Sequence, residues 1–228
     1  MKLTKIALLW AMSLMGTAFA QDPAEIDDRY ADLEKDKSGF QETWVVPGAD
    51  FTKYNKLYIW KAEFQFRDVG PARRTRSTFM SSRKTEFGIS EEDREEFQRI
   101  VREAFLKEIQ QGTNYELVDV DDADQNTLIM RGAVLDIISR VPPDTVGRSD
   151  IYLRSIGEAT LVMELLDAGT GDVVALVAER RHLQRSNSQT LGTMPTSNVT
   201  IVADLKGWAG RAAKILRTEL DKAIAGSD

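Results

Sequence analysis

The chain holds a single histidine, His182, and no cysteine, which narrows its possible chemistry at once. Thiolate metal sites, cysteine nucleophiles and disulfides are all excluded. A serine triad built on His182 would need a serine in a sharp turn, and no G-x-S-x-G occurs. One histidine without cysteine is also a poor start for a zinc site, so His182 reads as a surface or interface side chain near a strand end. Asp119, Asp121, Asp122, Asp124 and Asn126 crowd one loop and offer oxygens suited to a hard cation. Counting from Asp122, however, puts Thr127 where an EF-hand needs glycine and Ala133 where it needs a bidentate glutamate. The loop therefore reads as a polar connection. Glu158 and Glu164 fall on one strand face, but six residues of strand separate them by roughly 20 Å, beyond the about 5–9.5 Å of a glycosidase pair. Gly169-x-Gly171 is followed by neither helix nor lysine, which makes it a turn and no phosphate cradle. These residues imply no cofactor, no metal and no catalytic set.

One run of charge remains. Asp68–Gly88 holds Arg73, Arg74, Arg76, Arg83 and Lys84 among serine and glycine, on a chain of net charge −6. Such a segment suits phosphate, an anionic headgroup or an acidic partner, although a basic run without helical periodicity is more often a solvated loop. A second polar span, Ser186–Thr200, reads as another mobile loop.

The elements that would position these residues centre on Ser155–Gln184. Ala159, Leu161, Met163 and Leu165 alternate with Glu158, Thr160 and Glu164, the pattern of a half-buried strand. Asp167, Gly169, Thr170 and Gly171 form a tight structural turn, in which the glycines tolerate positive φ and the polar side chains satisfy backbone groups. Asp172–Leu183 returns as the second strand. Lys56–Phe66 predicts a core strand with Tyr58, Trp60, Ala62, Phe64 and Phe66 on a buried aromatic face. Tyr115–Val120 and Thr127–Val141 predict two more strands. Ser90–Gln111 predicts a helix with a near capping box at Ser90 and Asp93 and an apolar stripe of Phe97, Ile100, Val101, Ala104, Phe105 and Ile109. Ala203–Ala225 predicts a second, with Leu205, Trp208, Ala212, Ile215, Leu216, Leu220 and Ile224 on one stripe. This order predicts an α+β domain, a mostly antiparallel sheet of about five strands with two principal helices packed on it.

The amino-terminal end reads as an export signal. Lys2 and Lys5 precede an apolar run, Ile6–Met15, and Ala18-Phe19-Ala20 has the small-x-small form of a cleavage site. About ten apolar residues are too few to span a bilayer, which takes about 20. Cleavage after Ala20 removes both lysines and takes the formal charge from −6 to −8. That charge argues against general nucleic-acid binding. The expected organisation is a signal over 1–20, a flexible arm over 21–37 and one domain over 38–228. Without cysteine there is no lipid anchor, leaving at most peripheral membrane contact.

Five stretches carry a resemblance. Ser38-Gly39-Phe40, Val46–Tyr54, Tyr115-Glu116-Leu117-Val118, Asp167–Asp172 and Trp208-Ala209 occur in an order that resembles a Gram-negative family known as a domain of unknown function. Many of its members read as envelope lipoproteins, from which this chain departs by lacking the anchoring cysteine. The order of elements is also similar to small envelope-assembly domains: the curli secretion lipoprotein, the activator lipoproteins of penicillin-binding proteins and the amino-terminal domain of the Tol-Pal translocation protein. The resemblance implies a periplasmic or outer-membrane-peripheral protein, non-enzymatic, that serves as accessory or binding subunit to another envelope protein. Self-association as a structural homo-oligomer is the alternative, and an enzyme or small-ligand binder of unrecognised type a further one. Fold likeness does not fix function.

Overall fold

The hairpin over 155–184 stands at the centre of the sheet. In the computed structural model, which describes residues 29–69, 86–141, 155–184 and 197–226, eight strands are β1 (Glu34–Asp36), β2 (Glu42–Val45), β3 (Lys56–Ile59), β4 (Glu63–Phe66), β5 (Glu116–Val118), β6 (Thr127–Ser139), β7 (Ser155–Asp167) and β8 (Val173–Gln184). They form one sheet in the order β1-β2-β8-β7-β6-β3-β5, with β4 also paired to β6. The pairs from β1 to β6 are antiparallel, whereas β3–β5, β3–β6 and β4–β6 are parallel. The α+β class is as expected. The strand count is not: eight replace about five, because β1, β2 and a divided aromatic strand were too short to carry a clear period of their own.

That division corrects the reading of Lys56–Phe66 as one strand. Ile59 lies opposite Met130 but Glu63 lies opposite Ala133, so the intervening residues slip the line by one position against β6. A one-residue slip moves every later side chain to the other face. Leu57 is therefore buried and Tyr58 and Trp60 point the other way, with Trp60 43 % exposed. Phe64 and Phe66, beyond the slip, return to the helix side and meet Phe97 edge-on at centroid distances of 6.2 and 5.6 Å.

Two long helices lie on one face, α1 (Glu91–Ile109) and α2 (Asn198–Ala225). Ser90 caps α1 by accepting the Asp93 amide hydrogen, and α1 buries Phe97, Ile100, Val101 and Ile109. Ser197 and Thr200 form a reciprocal capping box for α2, which ends at Gly226 in the left-handed region. The helix thus starts earlier than the expected Ala203, inside the span read as a loop. Its stripe of Leu205, Trp208, Leu216 and Leu220 is buried against the sheet. The two helices are tied where they meet the loop after α1. Arg217 pairs with Glu108 at 3.0 Å, and the Asp221 carboxylate accepts the Thr113 and Asn114 amides.

A second apolar cluster, containing Leu33, Trp44, Leu135, Val162, Leu166 and Leu176, lies on the face away from the helices. Leu33 and β1 come from the segment read as an arm, whose residues 21–28 lie outside the described residues. Tyr30 donates to Glu164, which Arg131 also binds, so this otherwise costly buried carboxylate is held by two partners.

Candidate binding groove

Three stretches far apart in sequence, 34–54, the β7–β8 hairpin and the end of α2, converge at the turn end of that hairpin. The first contains a turn: Ala49 N–H donates to the Val46 carbonyl at 3.1 Å, with Pro47 and Gly48 between them and Gly48 at φ +73°. Proline then glycine at positive φ is the type II arrangement. Next, Asp50 accepts from the Thr52 amide at 2.9 Å and its hydroxyl at 2.6 Å, starting a short helical turn over Phe51–Lys53. Those hydrogen bonds from Thr52 hold the Asp50 carboxyl below its usual range.

The turn is fastened to the hairpin by Asp167. This buried carboxylate accepts from Lys53 Nζ at 2.6 Å and from the Tyr54 hydroxyl at 2.8 Å. Its other oxygen accepts the Gly169 amide at 2.7 Å and the Thr170 amide at 3.3 Å. Gly171, at φ +79°, donates to the Asp167 carbonyl at 2.8 Å and closes the turn. Burial pulls the Asp167 carboxyl up, but the donors from Lys53, Tyr54 and the turn amides outweigh it and leave the group below its usual range. Burial and the bond to Asp167 push Tyr54 up to about 12.

Together with α2 and the first two strands, this corner encloses a groove of about 660 Å³. Its floor is apolar, with Phe40, Leu165, Ala175, Leu216 and Leu220 all buried. Its rim carries Glu34, Lys35, Asp36, Lys37, Asp50 and Glu219. Four of these are engaged with neighbours: Lys35 with Glu42 at 2.6 Å, Asp36 with the Lys37 amide at 2.7 Å, Asp50 with Thr52, and Glu219 with Lys222 at 3.4 Å. Gly39 sits so near α2 that a β-carbon there would lie 2.6 Å from Ile215 Cγ2. Backbone approach of that kind is what glycine permits. An apolar floor with a polar rim is the composition of a binding pocket.

At the opposite end of the hairpin lies a charged network. Asp136 is an extra residue in β6: Leu135 faces Thr160 and Ile138 faces Glu158, three steps against two, so Asp136 forms a β-bulge. It has φ +52° and takes Arg67 in a two-pronged pair, both contacts 2.6 Å, with Arg180 at 2.7 Å. Burial raises the Asp136 carboxyl, and the two guanidiniums outweigh it to leave the group lowered. Arg180 also reaches Glu158, which binds Arg140 and lies 3.4 Å from His182. His182 is a 59 % exposed strand-end side chain. Glu158 and Glu164 belong to separate clusters, each with its own arginines.

In the aspartate loop, Asp124 is taken up by Lys56, the Asn126 amide and Thr127. Among the described residues no group of three or more metal-ligating side chains gathers. Arg73, Arg74, Arg76, Arg83 and Lys84 lie outside the described residues, as do Ala18 and Ala20. The groove and the Asp136 network went unread in the sequence. The proline-glycine turn and the Asp50-x-Thr52 cap were visible signals of a built loop, but nothing in them pointed to its partner strand.

No curated protein matches the chain. Among solved structures, similarity is found to a PelC dodecamer from Paraburkholderia phytofirmans, at 8 % identity and TM-score 0.36 over 81 % of this chain and 96 % of that one. A DUF330 protein from Xanthomonas campestris is similar at 12 % identity and TM-score 0.41, over 77 % of this chain and 91 % of that one. A neuraminyllactose-binding hemagglutinin homolog from Helicobacter pylori is similar at 12 % identity and TM-score 0.38, over 77 % and 92 %. The family model described as Protein of unknown function (DUF3313) matches residues 19–210, and in agreement with the resemblance read from the sequence, the chain belongs to that family.

Proposed function

We propose that this protein is an exported, non-catalytic binding subunit of the bacterial envelope, which receives an apolar segment of an envelope partner in the groove beside α2. The observation that carries this reading is the groove itself, with a buried apolar floor and four of its six rim charges engaged with neighbours. Such a surface supplies area and shape to a ligand, with little free polar chemistry to act on it. The Asp167 clamp supports the same reading, because bonds within the chain hold the 46–54 wall against the hairpin. The reading of residues 1–20 as an export signal supports a site of action in the periplasm or at the outer-membrane periphery, where an accessory subunit would meet its partner.

The test is photocrosslinking in intact cells from a probe placed at Ala49, followed by mass spectrometry of the adducts. One recurring envelope protein, lost when Ala223→Trp fills the groove of an otherwise folded protein, is the expected result. Loss on replacing Arg73, Arg74, Arg76, Arg83 and Lys84 with alanine, but not on filling the groove, would move the contact to that basic segment. Recovery of the protein alone at monomer size would sink the accessory reading.

A further inference from the structure

The edge of the sheet farthest from the groove carries a different surface. β5 ends the strand order, so one side of Glu116–Val118 has no neighbouring strand among the described residues. Beside it the β3–β5 register sets Tyr58 against Val118, and Trp60 packs edge-on to Tyr58 at 6.1 Å. Trp60 is 43 % exposed, and Val120, two residues past Val118, is 59 % exposed. Single exposed apolar residues are ordinary, but an indole and a valine just past the carboxyl ends of the adjacent strands β3 and β5, beside an open edge, form a contact patch.

Acidic charge surrounds this patch, and Lys56 offsets it only in part. Asp119, Asp121 and Asp122 are exposed, and none makes an ion pair among the described residues. Lys56, the near cation, pairs instead with Asp124 at 2.7 Å. Asp119 precedes a short helical turn without capping it. A ligand for this corner therefore needs apolar side chains set between positive charges. This chain's own sequence offers that pattern at Arg73–Lys84: Arg73, Arg74 and Arg76, then Phe79-Met80, then Arg83-Lys84, with no acidic residue from 73 to 84.

We propose that the corner of Tyr58, Trp60 and Val120 with Asp119, Asp121 and Asp122 docks the Arg73–Lys84 segment of a second copy of this chain. Charge complementarity selects and steers the contact, and burial of Trp60 against Phe79-Met80 holds it. Because surface and segment differ, the contact is heterologous: each copy offers both halves, and association continues past a dimer into a ring or an open chain, as the rotation between copies dictates. This goes beyond the groove and does not depend on it.

The protein recovered from cells expressing the full chain is to be sized by light scattering over a concentration series, at about 0.02 M and about 0.5 M salt. The expected result is a species heavier than a dimer at low salt that falls toward monomer at high salt. Trp60→Ala, D119K/D121K/D122K and R73E/R74E/R76E should each give monomer with an unchanged circular dichroism spectrum. Mixing the two charge-reversed variants should restore association, since the reversed corner then meets a reversed segment; a folding defect would not be rescued in this way. A monomer at every concentration in low salt overturns the proposal. So does an oligomer that survives Trp60→Ala, or a mixture that stays monomeric. A salt-dependent change in tryptophan fluorescence without a change in mass would mean that each copy covers its own corner, and overturns it too.

Discussion

Asp167 and Asp136 are both carboxylates at bends of the central strands, yet the bends are built in opposite ways. At Asp167 the strain is assigned to glycine: Gly171 takes φ +79°, and the aspartate itself gathers four donors while buried. At Asp136 the aspartate itself takes φ +52° and is held there by Arg67 and Arg180, with its side chain 34 % exposed. Aspartate is one of the few residues that tolerate this region, at a cost that the surrounding contacts must offset. The turn at the first bend is written in six consecutive residues, and only its fastening to Lys53 and Tyr54 is tertiary. The second exists only because four separate strands or strand ends bring charges together. A local motif resists single losses elsewhere in the chain, whereas a tertiary clamp fails when any distant partner is removed.

The largest expected effect follows from removing the buried carboxylate. Asp167→Ala leaves the Tyr54 hydroxyl without its acceptor and frees the 46–54 wall, and urea unfolding should show a loss of about 3 kcal/mol. An effect as small as that of Asp136→Ala would dissolve the contrast. Its pH dependence has a definite sign. The folded Asp167 carboxyl is held below its unfolded range, so its stabilisation is present above the unfolded value and is lost as pH falls through the folded one. The stability gap between the native protein and Asp167→Asn should accordingly be flat above about pH 5 and narrow toward about pH 3. A gap that widens with acid would contradict the bonding described.

Asp136→Ala should cost less, about 1–2 kcal/mol, because its arginines reach solvent and screening weakens each pair. Asp136→Gly sharpens the comparison. It loses the same pairs but removes the strain, and should be more stable than the alanine variant by about 1 kcal/mol in the same unfolding experiment. Gly171→Ala tests the other bend in mirror image. No atom lies within 4 Å of an added β-carbon, so only the backbone conformation opposes it, and thermal melting should report a loss of about 1 kcal/mol. The smallest effect belongs to His182. As an exposed strand-end residue it should change stability by less than about 0.5 kcal/mol when replaced by glutamine.

Legibility followed the range of the interaction. The β7–β8 hairpin, both helix stripes and the Ser90 cap were readable because alternation, a 3.6-residue period and capping are properties of neighbouring residues. The aromatic strand misled for the same reason: Tyr58, Trp60, Phe64 and Phe66 alternate perfectly, and only the parallel pairing to β6 shows the slip that turns Trp60 outward. Strands of three or four residues such as β1 and β2 are too short to carry a period and form because a neighbour offers an edge. The groove was illegible because its floor comes from β2, β7, β8 and α2 together.

By itself the sequence determined the α+β class, the helix faces, the turn at Asp167–Asp172 and the absence of cysteine chemistry, each set by residue type and local spacing. Tertiary structure alone decided which faces became a groove, which tryptophan was exposed and which arginines met Asp136. Those outcomes depend on strand register and helix placement, where contacts between residues remote in sequence choose among arrangements that local preference leaves equal.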